Sequence, residues 1–369
     1  LSRARLEWEV STLNKVDRIS DLGEFGFVER ITPGCVLDRR RVVQGIGDDC
    51  GVTRCTGGLL HLVTTDLLVE KAHFLRTTTS AAQLGHKALG VNLSDIAAMG
   101  GTARDAYVAL AIPPETSVEF LDDLYRGMKD LAARFGVSIL GGDTSISHAD
   151  MVISITVTGD VEPEHVLFRH GALEGDTIFV TGPLGDSAAG LHAVTNGQVS
   201  DDSDARVLAC RHLEPVPHLV QGRVIAQSGW AHAMIDSSDG FSSDLGHICD
   251  QSGVGFVIEE DALPLSGELK RYARRHGLDP VSLALHGGED YVLIVAGAAD
   301  LAAEAARHSF ELVAVGVTTG GHGRTVRRPD GTLYALAPKG WDHFAHRRSP
   351  CSGPSALGAP LVNTPQTSQ

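Results

Sequence analysis

The 369-residue sequence lacks, or has little of, several features that define familiar protein classes. No apolar run reaches about 18 residues, so we expect no membrane-spanning helix. The six cysteines show neither Cys-x-x-Cys spacing nor a Cys/His pattern typical of zinc sites, which favours free thiols in a reducing compartment. Aromatic residues make up only 5%, whereas glycine occurs 42 times, so we expect glycine-dependent loops to matter in this fold.

Basic residues are also in the minority. Lys and Arg total 31 against 46 Asp and Glu, which gives a formal net charge of −15. This balance argues against nucleic acid and against an anionic membrane surface as partners, since both require a basic face. Phosphate-bearing substrates stay open, because metal ions held by acidic side chains can bind them. The first ten residues lack the apolar core of a signal sequence, so we expect a cytoplasmic protein.

The common nucleotide-binding motifs are missing as well. No GxxxxGKS/T string occurs, which excludes a P-loop, and no set of protein-kinase motifs is present. The glycines at 45, 47 and 51 have the wrong spacing for a dinucleotide fingerprint. If the protein binds a nucleotide, it therefore does so through a different motif.

Strand and helix patterns alternate along most of the chain, which predicts an α/β fold with two domains. The boundaries predicted from composition and pattern are an N-terminal extension at 1–20, domains at 21–160 and 161–346, and a disordered tail at 347–369.

Local patterns give more detailed expectations. Ser80 and Gln83 form a capping box that opens a helix running towards Met99, and Thr116 with Glu119 predicts a second capping box. The segment 151–158 alternates between apolar and polar residues, which predicts a half-buried antiparallel strand with an open edge in a small sheet. The segment 196–204 is typical of an exposed acidic loop.

Aspartates beside glycines and hydroxyl residues recur at the expected ends of strands. Six such turns occur, and few have a Lys or Arg nearby in sequence. If they converge, their mutual repulsion favours hard divalent cations with oxygen ligands, above all Mg²⁺. Each turn taken alone is more often an ordinary turn or helix cap. The turns are GIGDDC from Gly45, TTD from Thr64, NLSD from Asn92, GGD from Gly141, DSSDG from Asp236 and GGED from Gly287.

In their order and in their residues, these motifs resemble those of the thiamine-monophosphate kinase family of the aminoimidazole-ribonucleotide-synthetase-like superfamily. The similarity extends over about residues 20–345, and its most specific string is KALGVNLSDIAAMG at 87–100. It implies an ATP- and Mg²⁺-binding α+β N-terminal domain, with a small mixed or antiparallel sheet that pairs across a homodimer, and an α/β C-terminal domain. It also implies phosphorylation of thiamine monophosphate by ATP to give thiamine diphosphate, with several Mg²⁺ ions and ATP as co-substrate.

The resemblance also implies roles for individual residues. Two minor departures from the family pattern, Ser237 and His286, remove no ligand. The implied metal ligands are Asp49, Thr64, Thr65, Asp66, Asp95, Asp143, Asp236 and Asp239. The residues implied in catalysis are Asp66, Asp95, Asp143 and Asp239; those at the nucleotide are Tyr125, Gly142, Asp143, Arg169 and Ser238; those facing the thiamine substrate are His73, Glu289 and Trp341.

The chemistry expected from such a site is direct in-line phosphoryl transfer. The acceptor phosphate has a second pKa near ~6, so it needs no strong general base. Trp341 could contact the thiazolium cation or simply anchor the chain end, and His73 could contact substrate or be solvated. Three alternatives stay open: a selenophosphate-synthetase-like enzyme, a hydrogenase-maturation protein of the same superfamily, and an inactive metal- or nucleotide-binding protein.

Overall fold

The structure is a computed structural model that describes residues 19–337 and 339–341. The predicted tail at 347–369, and all of the predicted extension except residues 19 and 20, lie outside the described residues. The described part contains ten α-helices and two mixed β-sheets, which confirms the predicted α/β fold class. None of its helices combines the length and the apolar character needed to cross a membrane. The first helix, α1 (Ile19–Ile31), is interrupted at Gly23.

The first half of the chain forms a six-stranded sheet covered by two helices. Its strands lie in the order β1–β2–β3–β6–β4–β5, and all neighbours are antiparallel except β4 and β5, which are joined through a helix. The elements are β1 (Val42–Gln44), β2 (Gly51–Arg54), β3 (Leu60–Val69), α2 (Ala81–Ala98), β4 (Thr102–Ile112), α3 (Val118–Phe135), β5 (Ser138–Ile146) and β6 (Val152–Val161).

The helix starts follow the rules of capping. Ser80 accepts from the backbone N–H of Gln83 while the Gln83 side chain accepts from Ser80, so the predicted capping box of α2 is confirmed. The second prediction was wrong by one residue, because the cap of α3 is Ser117, whose hydroxyl accepts from the N–H of Phe120.

The alternating strand β6 is buried as predicted on one face, but it has no open edge. Ile153, Ile155 and Val157 are fully buried. The prediction of an open edge was wrong, because β6 lies between β3 and β4 and pairs with both. The edge strands of the sheet are β1 and β5, and within the described residues β5 pairs with β4 alone. The pattern of one strand fixes which face is covered but says nothing about its neighbours.

The second half forms a seven-stranded sheet in the order β13–β12–β9–β11–β7–β10–β8, in which only β12 and β9 are parallel. Its elements are β7 (Thr177–Val180), α4 (Asp186–Thr195), α5 (Ser203–Leu213), α6 (Leu219–Gln227), β8 (Ala231–Asp236), α7 (Phe241–Ser252), β9 (Val254–Glu259), α8 (Gly267–His276), α9 (Pro280–His286), β10 (Leu293–Gly297), α10 (Leu301–Arg307), β11 (Val313–Gly320), β12 (Arg324–Arg327) and β13 (Leu333–Ala335).

The predicted acidic loop at 196–204 ends earlier than expected. Asp202 caps α5 by accepting from the N–H groups of Asp204 and Ala205, and Asp204 is buried within the first turn of that helix. The exposed-loop prediction was therefore wrong at its C-terminal end, because the acidic residues there belong to a helix start.

Helix α2 lies where the two halves of the chain meet. Its C-terminal end packs against α6, and the contact is so close that a Cβ added at Gly222 would lie 2.3 Å from the carbonyl oxygen of Ala97. One hydrophobic core includes Leu93 and Ile96 of α2 together with Met234 and Leu293 of the second sheet. Residues of α2 are thereby held close to the end of β8, where the candidate site is found.

Candidate active site

Three aspartates converge between the two sheets. Asp49 precedes β2, Asp95 lies near the end of α2, and Asp236 is the last residue of β8. One carboxylate oxygen from each lies within 4.8 Å of the others. Asp49 and Asp236 are buried, and both halves of the chain contribute. We refer to Asp49, Asp95 and Asp236 as the acidic triad.

The electrostatics of the triad are unfavourable for three ionised carboxylates. Burial, followed by repulsion from Asp49, raises the pKa of Asp236 to about 8. Burial also raises the pKa of Asp49 and that of Asp95, and for Asp95 the neighbouring carboxylates of Asp66 and Asp236 add to the rise. The pKa of Asp48 rises to about 7 through burial and the charge of Asp49. The protein by itself does not neutralise this cluster.

Among the residues that the structure describes, Arg169 is the basic side chain that pairs with the triad. Its Nε donates to Asp49 Oδ1 at 3.1 Å, its Nη2 forms an ion pair with the same oxygen, and its backbone N–H donates to Asp48. Among the described residues, Asp49 Oδ2 and Ser237 Oγ are the buried side-chain atoms without a hydrogen-bond partner. A buried carboxylate oxygen left without a partner beside two further carboxylates fits a divalent cation ligated by oxygen.

One segment of α2 holds two strands of the site, β3 and β8, in place. The Asn92 side chain accepts from the backbone N–H of Asp66 at 3.0 Å, and the Ser94 hydroxyl donates to Asp236 at 2.6 Å. Asp95 accepts a hydrogen bond from the Thr64 hydroxyl. Sequence reasoning singled out the NLSD string but gave a role only to its aspartate. The signal that could have found Asn92 and Ser94 is that both polar residues are fully buried on an apolar helix.

Thr64, Thr65 and Asp66 lie inside β3, not after its end as expected, because the strand runs on to Val69. Side chains alternate along a strand, so Thr64 and Asp66 share the face that meets Asp95. Burial and the charge of Asp49 raise the pKa of Asp66 to about 6, which puts this carboxyl beside the triad. Thr65 is exposed on the other face, where its hydroxyl accepts from Thr156 at 3.1 Å.

Two loops of the second half exchange backbone hydrogen bonds beside the triad. The N–H of Glu289 donates to the carbonyl of Ser238 at 2.7 Å, and the N–H of Trp341 donates to the carbonyl of Asp239 at 3.0 Å. The loop at Glu289 is strained, because its φ is 64° in a residue with a side chain. Ser238, Asp239, Glu289 and Trp341 are thus brought together, as their expected roles require.

Glu289 has charged neighbours from both halves of the chain. Its carboxylate lies 2.9 Å from Lys87 Nζ and 3.3 Å from His212 Nδ1. His73 is near enough to Glu289 that a charge on its ring would lower the pKa of that carboxyl. The Nδ1 atom of His73 accepts from the backbone N–H of Val69 at 3.0 Å, which fixes the orientation of its ring. Lys87 and His212 were not among the residues identified from sequence.

Asp143, Gly142 and Tyr125 lie apart from the triad within one chain. Asp143 is exposed on the edge strand β5. Across the sheet, Asp66 of β3 pairs with Ile155 of β6, which pairs with Val108 of β4. Val108 in turn pairs with Gly142 of β5, the neighbour of Asp143. Three strand spacings amount to roughly 14 Å. Gly142 has no room for a side chain, since an added Cβ would lie 1.7 Å from the carbonyl oxygen of Val108.

Tyr125 lies on α3 at the opposite end of α2 from Asp95. The carbonyl of its neighbour Leu124 lies against Gly85, where an added Cβ would be 1.9 Å away. The ten residues from Gly85 to Asp95 span about 15 Å of helix. Burial raises the pKa of the Tyr125 hydroxyl, and the side chain is half-buried.

Comparison with known proteins places this site in a family context. The family model "AIR synthase related protein, N-terminal domain" matches residues 47–161, and the corresponding C-terminal domain model matches residues 174–328. The thiamine-monophosphate kinase of Aquifex aeolicus is 35% identical over 328 residues, covering 89% of this chain and 100% of the relative. That of Escherichia coli K12 is 38% identical over 331 residues, covering 88% and 98%.

A solved structure gives the same result. The structure of AaThiL complexed with AMPPCP and TMP superposes with a TM-score of 0.80 at 33% sequence identity, and the match covers 89% of this chain and 100% of that one. The similarity therefore includes both sheets.

Proposed function

The chain belongs to the thiamine-monophosphate kinase family of the AIR synthase related proteins, and on that premise we propose that it transfers the γ-phosphoryl group of ATP to thiamine monophosphate. The products are ADP and thiamine diphosphate. The observation that carries the proposal is the acidic triad: three carboxylates from both halves of the chain converge, and Arg169 pairs with one of them. The names of the relatives supply the substrate, and AaThiL is recorded with AMPPCP and TMP.

We propose Asp49, Asp95 and Asp236 as ligands of Mg²⁺, with Asp66 beside them. The unpartnered Asp49 Oδ2 supports this assignment, and so does the raised pKa of Asp236, because both are relieved when a cation is bound. When bound, the Mg²⁺ ions neutralise the two phosphate groups that must approach each other and orient them for in-line displacement.

The side chains of the chain itself bind and orient the substrates. The planar guanidinium of Arg169 pairs with Asp49 of the triad, and its side chain is about one-fifth exposed. It can therefore donate a further hydrogen bond to a nucleotide phosphate while it remains paired with Asp49. Ser238 and Asp239 lie on the loop that follows β8. Thiamine monophosphate presents an amino group and a cationic ring, which suit the anionic Glu289, the imidazole of His73 and the indole of Trp341.

We propose that the transfer is direct. The acceptor phosphate oxygen is already anionic near neutral pH, so the residues need to provide only placement and charge neutralisation. The carboxylates near the reacting groups are engaged by Thr64, Ser94 and Arg169. They are therefore better suited to ligating cations than to accepting a phosphoryl group.

The test is a coupled ADP-release assay with thiamine monophosphate, thiamine and selenide as alternative acceptors. The proposal predicts ADP release in the presence of Mg²⁺ with thiamine monophosphate only. Release with selenide would favour the selenophosphate-synthetase alternative. A folded protein that binds ATP but releases no ADP with any acceptor would favour the inactive binding protein.

We propose further that the edge strand β5 meets a second copy of the chain. Leu140 and Ile146 on this strand are 58% and 57% exposed, and Leu67 and Tyr107 on neighbouring strands are exposed too. An open edge with exposed apolar residues is a surface that pairing would cover. Such a homodimer would bring Gly142 and Asp143 into the interface. Sedimentation at micromolar concentration should show twice the chain mass of 39.0 kDa, and a monomer would contradict this proposal.

A further inference from the structure

A buried ionic network lies beneath the Glu289 carboxylate. Lys87 of α2 is only 2% exposed, and its Nζ lies 2.9 Å from Glu289 Oε1. The imidazole of His212, on α5, lies 3.3 Å from the other oxygen and 3.0 Å from the hydroxyl of Ser187. The carboxylate is therefore held by two side chains from below, one from each half of the chain.

The charges of this network are matched. A buried ammonium group is unfavourable unless it is paired, so Lys87 requires the Glu289 anion. Burial alone would raise the pKa of Glu289, but the charge of Lys87 outweighs it and holds the pKa below its ordinary value. Burial and the charge of Lys87 lower the pKa of His212 to about 4, so this ring is neutral at physiological pH. The ion pair is thus between Lys87 and Glu289.

The geometry leaves the outer side of the carboxylate open. The Glu289 side chain is 28% exposed, whereas Lys87 is 2% and His212 6% exposed, so the open part of the carboxylate faces away from both. The backbone is fixed by the hydrogen bond to the Ser238 carbonyl. With backbone and both oxygens held from inside, the carboxylate has one direction in which to accept a further hydrogen bond or attract a cation.

We propose that Lys87 is a positioning residue that keeps the Glu289 carboxylate ionised and directed towards the thiamine half of the substrate. This inference rests on the proposed function, because it takes thiamine monophosphate as the molecule that Glu289 meets. Lys87 makes no contact with substrate itself and acts through Glu289, with His212 fixing the second oxygen. The predicted signature is a selective effect on the binding of thiamine monophosphate.

A different role would be a simple clamp between the two halves of the chain. A clamp would stabilise the fold, and its loss would lower thermal stability and weaken both substrates alike. Loss of a positioning residue instead weakens the binding of thiamine monophosphate and leaves that of ATP unchanged. The reason is that the nucleotide is expected at Arg169 and Ser238 and not at Glu289. Kinetics with each substrate varied in turn distinguish the two roles.

The experiment compares Lys87→Met with wild type, with Glu289→Gln and with the double variant, and uses Lys270→Met on the exposed face of α8 as the matched control. We expect Lys87→Met to raise the KM for thiamine monophosphate about tenfold or more, with the KM for ATP nearly unchanged. The double variant should be no worse than Glu289→Gln alone, because Lys87 acts only through Glu289. Lys270→Met should behave as wild type.

Three results would overturn the inference: an unchanged KM for thiamine monophosphate, an equal rise for both substrates, or additive effects in the double variant. If Lys87→Met does not fold, Lys87→Gln keeps a hydrogen-bond donor and should give a smaller rise of the same selective kind. Wild-type protein that fails to phosphorylate thiamine monophosphate would contradict the proposed function itself, whereas the three results above contradict only the role of Lys87.

Discussion

Two acidic regions of this protein have the same residue type but opposite electrostatics. In the triad, Asp49, Asp95 and Asp236 are close together, and each has a raised pKa. At the start of α5, hydrogen bonds from arginines hold the pKa of Asp204 and, against the effect of burial, that of Asp202 below the ordinary value.

The difference lies in the cations that the chain supplies. Arg275 donates to both Asp202 and Asp204, and Arg271 adds a second pair to Asp204 at 2.7 Å. These interactions join α5 to α8 and complete a structural cluster. Within the described part of the chain the triad has one such partner, Arg169, whose side chain pairs with Asp49. Aspartates that the chain itself neutralises stabilise the fold, whereas those left in excess are suited to bind cations from solution.

The largest expected difference between the two regions is in activity. Asp95→Asn keeps the shape of the side chain but removes a charged ligand, so we expect kcat/KM to fall about 100-fold or more while the protein stays folded. Asp204→Asn is the matched control, and it should leave kcat/KM close to wild type. Steady-state kinetics at limiting Mg²⁺ measure both.

Near-wild-type turnover by folded Asp95→Asn would show that the triad does not ligate the catalytic ions. A comparable loss in Asp204→Asn would remove the distinction between the two regions.

A smaller difference is expected in the pH dependence of stability. In the triad region the folded pKa values of Asp48 and Asp236, about 7 and about 8, lie above the ordinary value, so the folded state retains protons that the unfolded state has lost. Stability of the metal-free protein should therefore fall as pH rises from about 7.5 to about 8.5, a window in which unfolded-state histidines are already largely neutral. The pH dependence of the thermal unfolding midpoint, measured after EDTA treatment, tests this expectation.

The α5 region should show the opposite sign in another pH window. The lowered pKa values of Asp202 and Asp204 provide stability above about pH 4 that is lost as the pH falls further.

Two changes in the triad region sharpen the test. Added Mg²⁺ should raise the unfolding midpoint more at pH 8 than at pH 6.5. Asp236→Asn should reduce the fall of the midpoint with rising pH in the metal-free protein. A midpoint of the metal-free protein that rises steadily to pH 8 would contradict the account of the triad.

The sequence predicted the helices and buried strands better than the order of strands. The Ser80 cap and the buried face of β6 depend on local spacing, and both were confirmed. The neighbours of β6 depend on long-range pairing, which the alternation of a single strand does not encode. For the same reason β5, which is exposed along almost its whole length, went unrecognised as a strand.

For the site, sequence reasoning identified the carboxylates but not the groups that hold them. Asp49, Asp95 and Asp236 stand in glycine-rich motifs that attract notice. Asn92, Ser94 and Lys87 lie within one helix, and their roles depend on contacts with strands and loops that are distant in the sequence, including Asp236 and Glu289. Asp202 and Asp204 were expected in an exposed loop for a related reason. Their arginine partners are about 70 residues further along the chain, so the local sequence does not reveal them.

The most direct test of the central claim counts bound cations. Mn²⁺ titration followed by electron paramagnetic resonance should be performed on wild type, Asp95→Asn and Asp204→Asn in the absence of nucleotide. The account predicts that Asp95→Asn loses Mn²⁺ sites or binds them about tenfold more weakly, whereas Asp204→Asn matches wild type. Equal Mn²⁺ binding by all three proteins would contradict it.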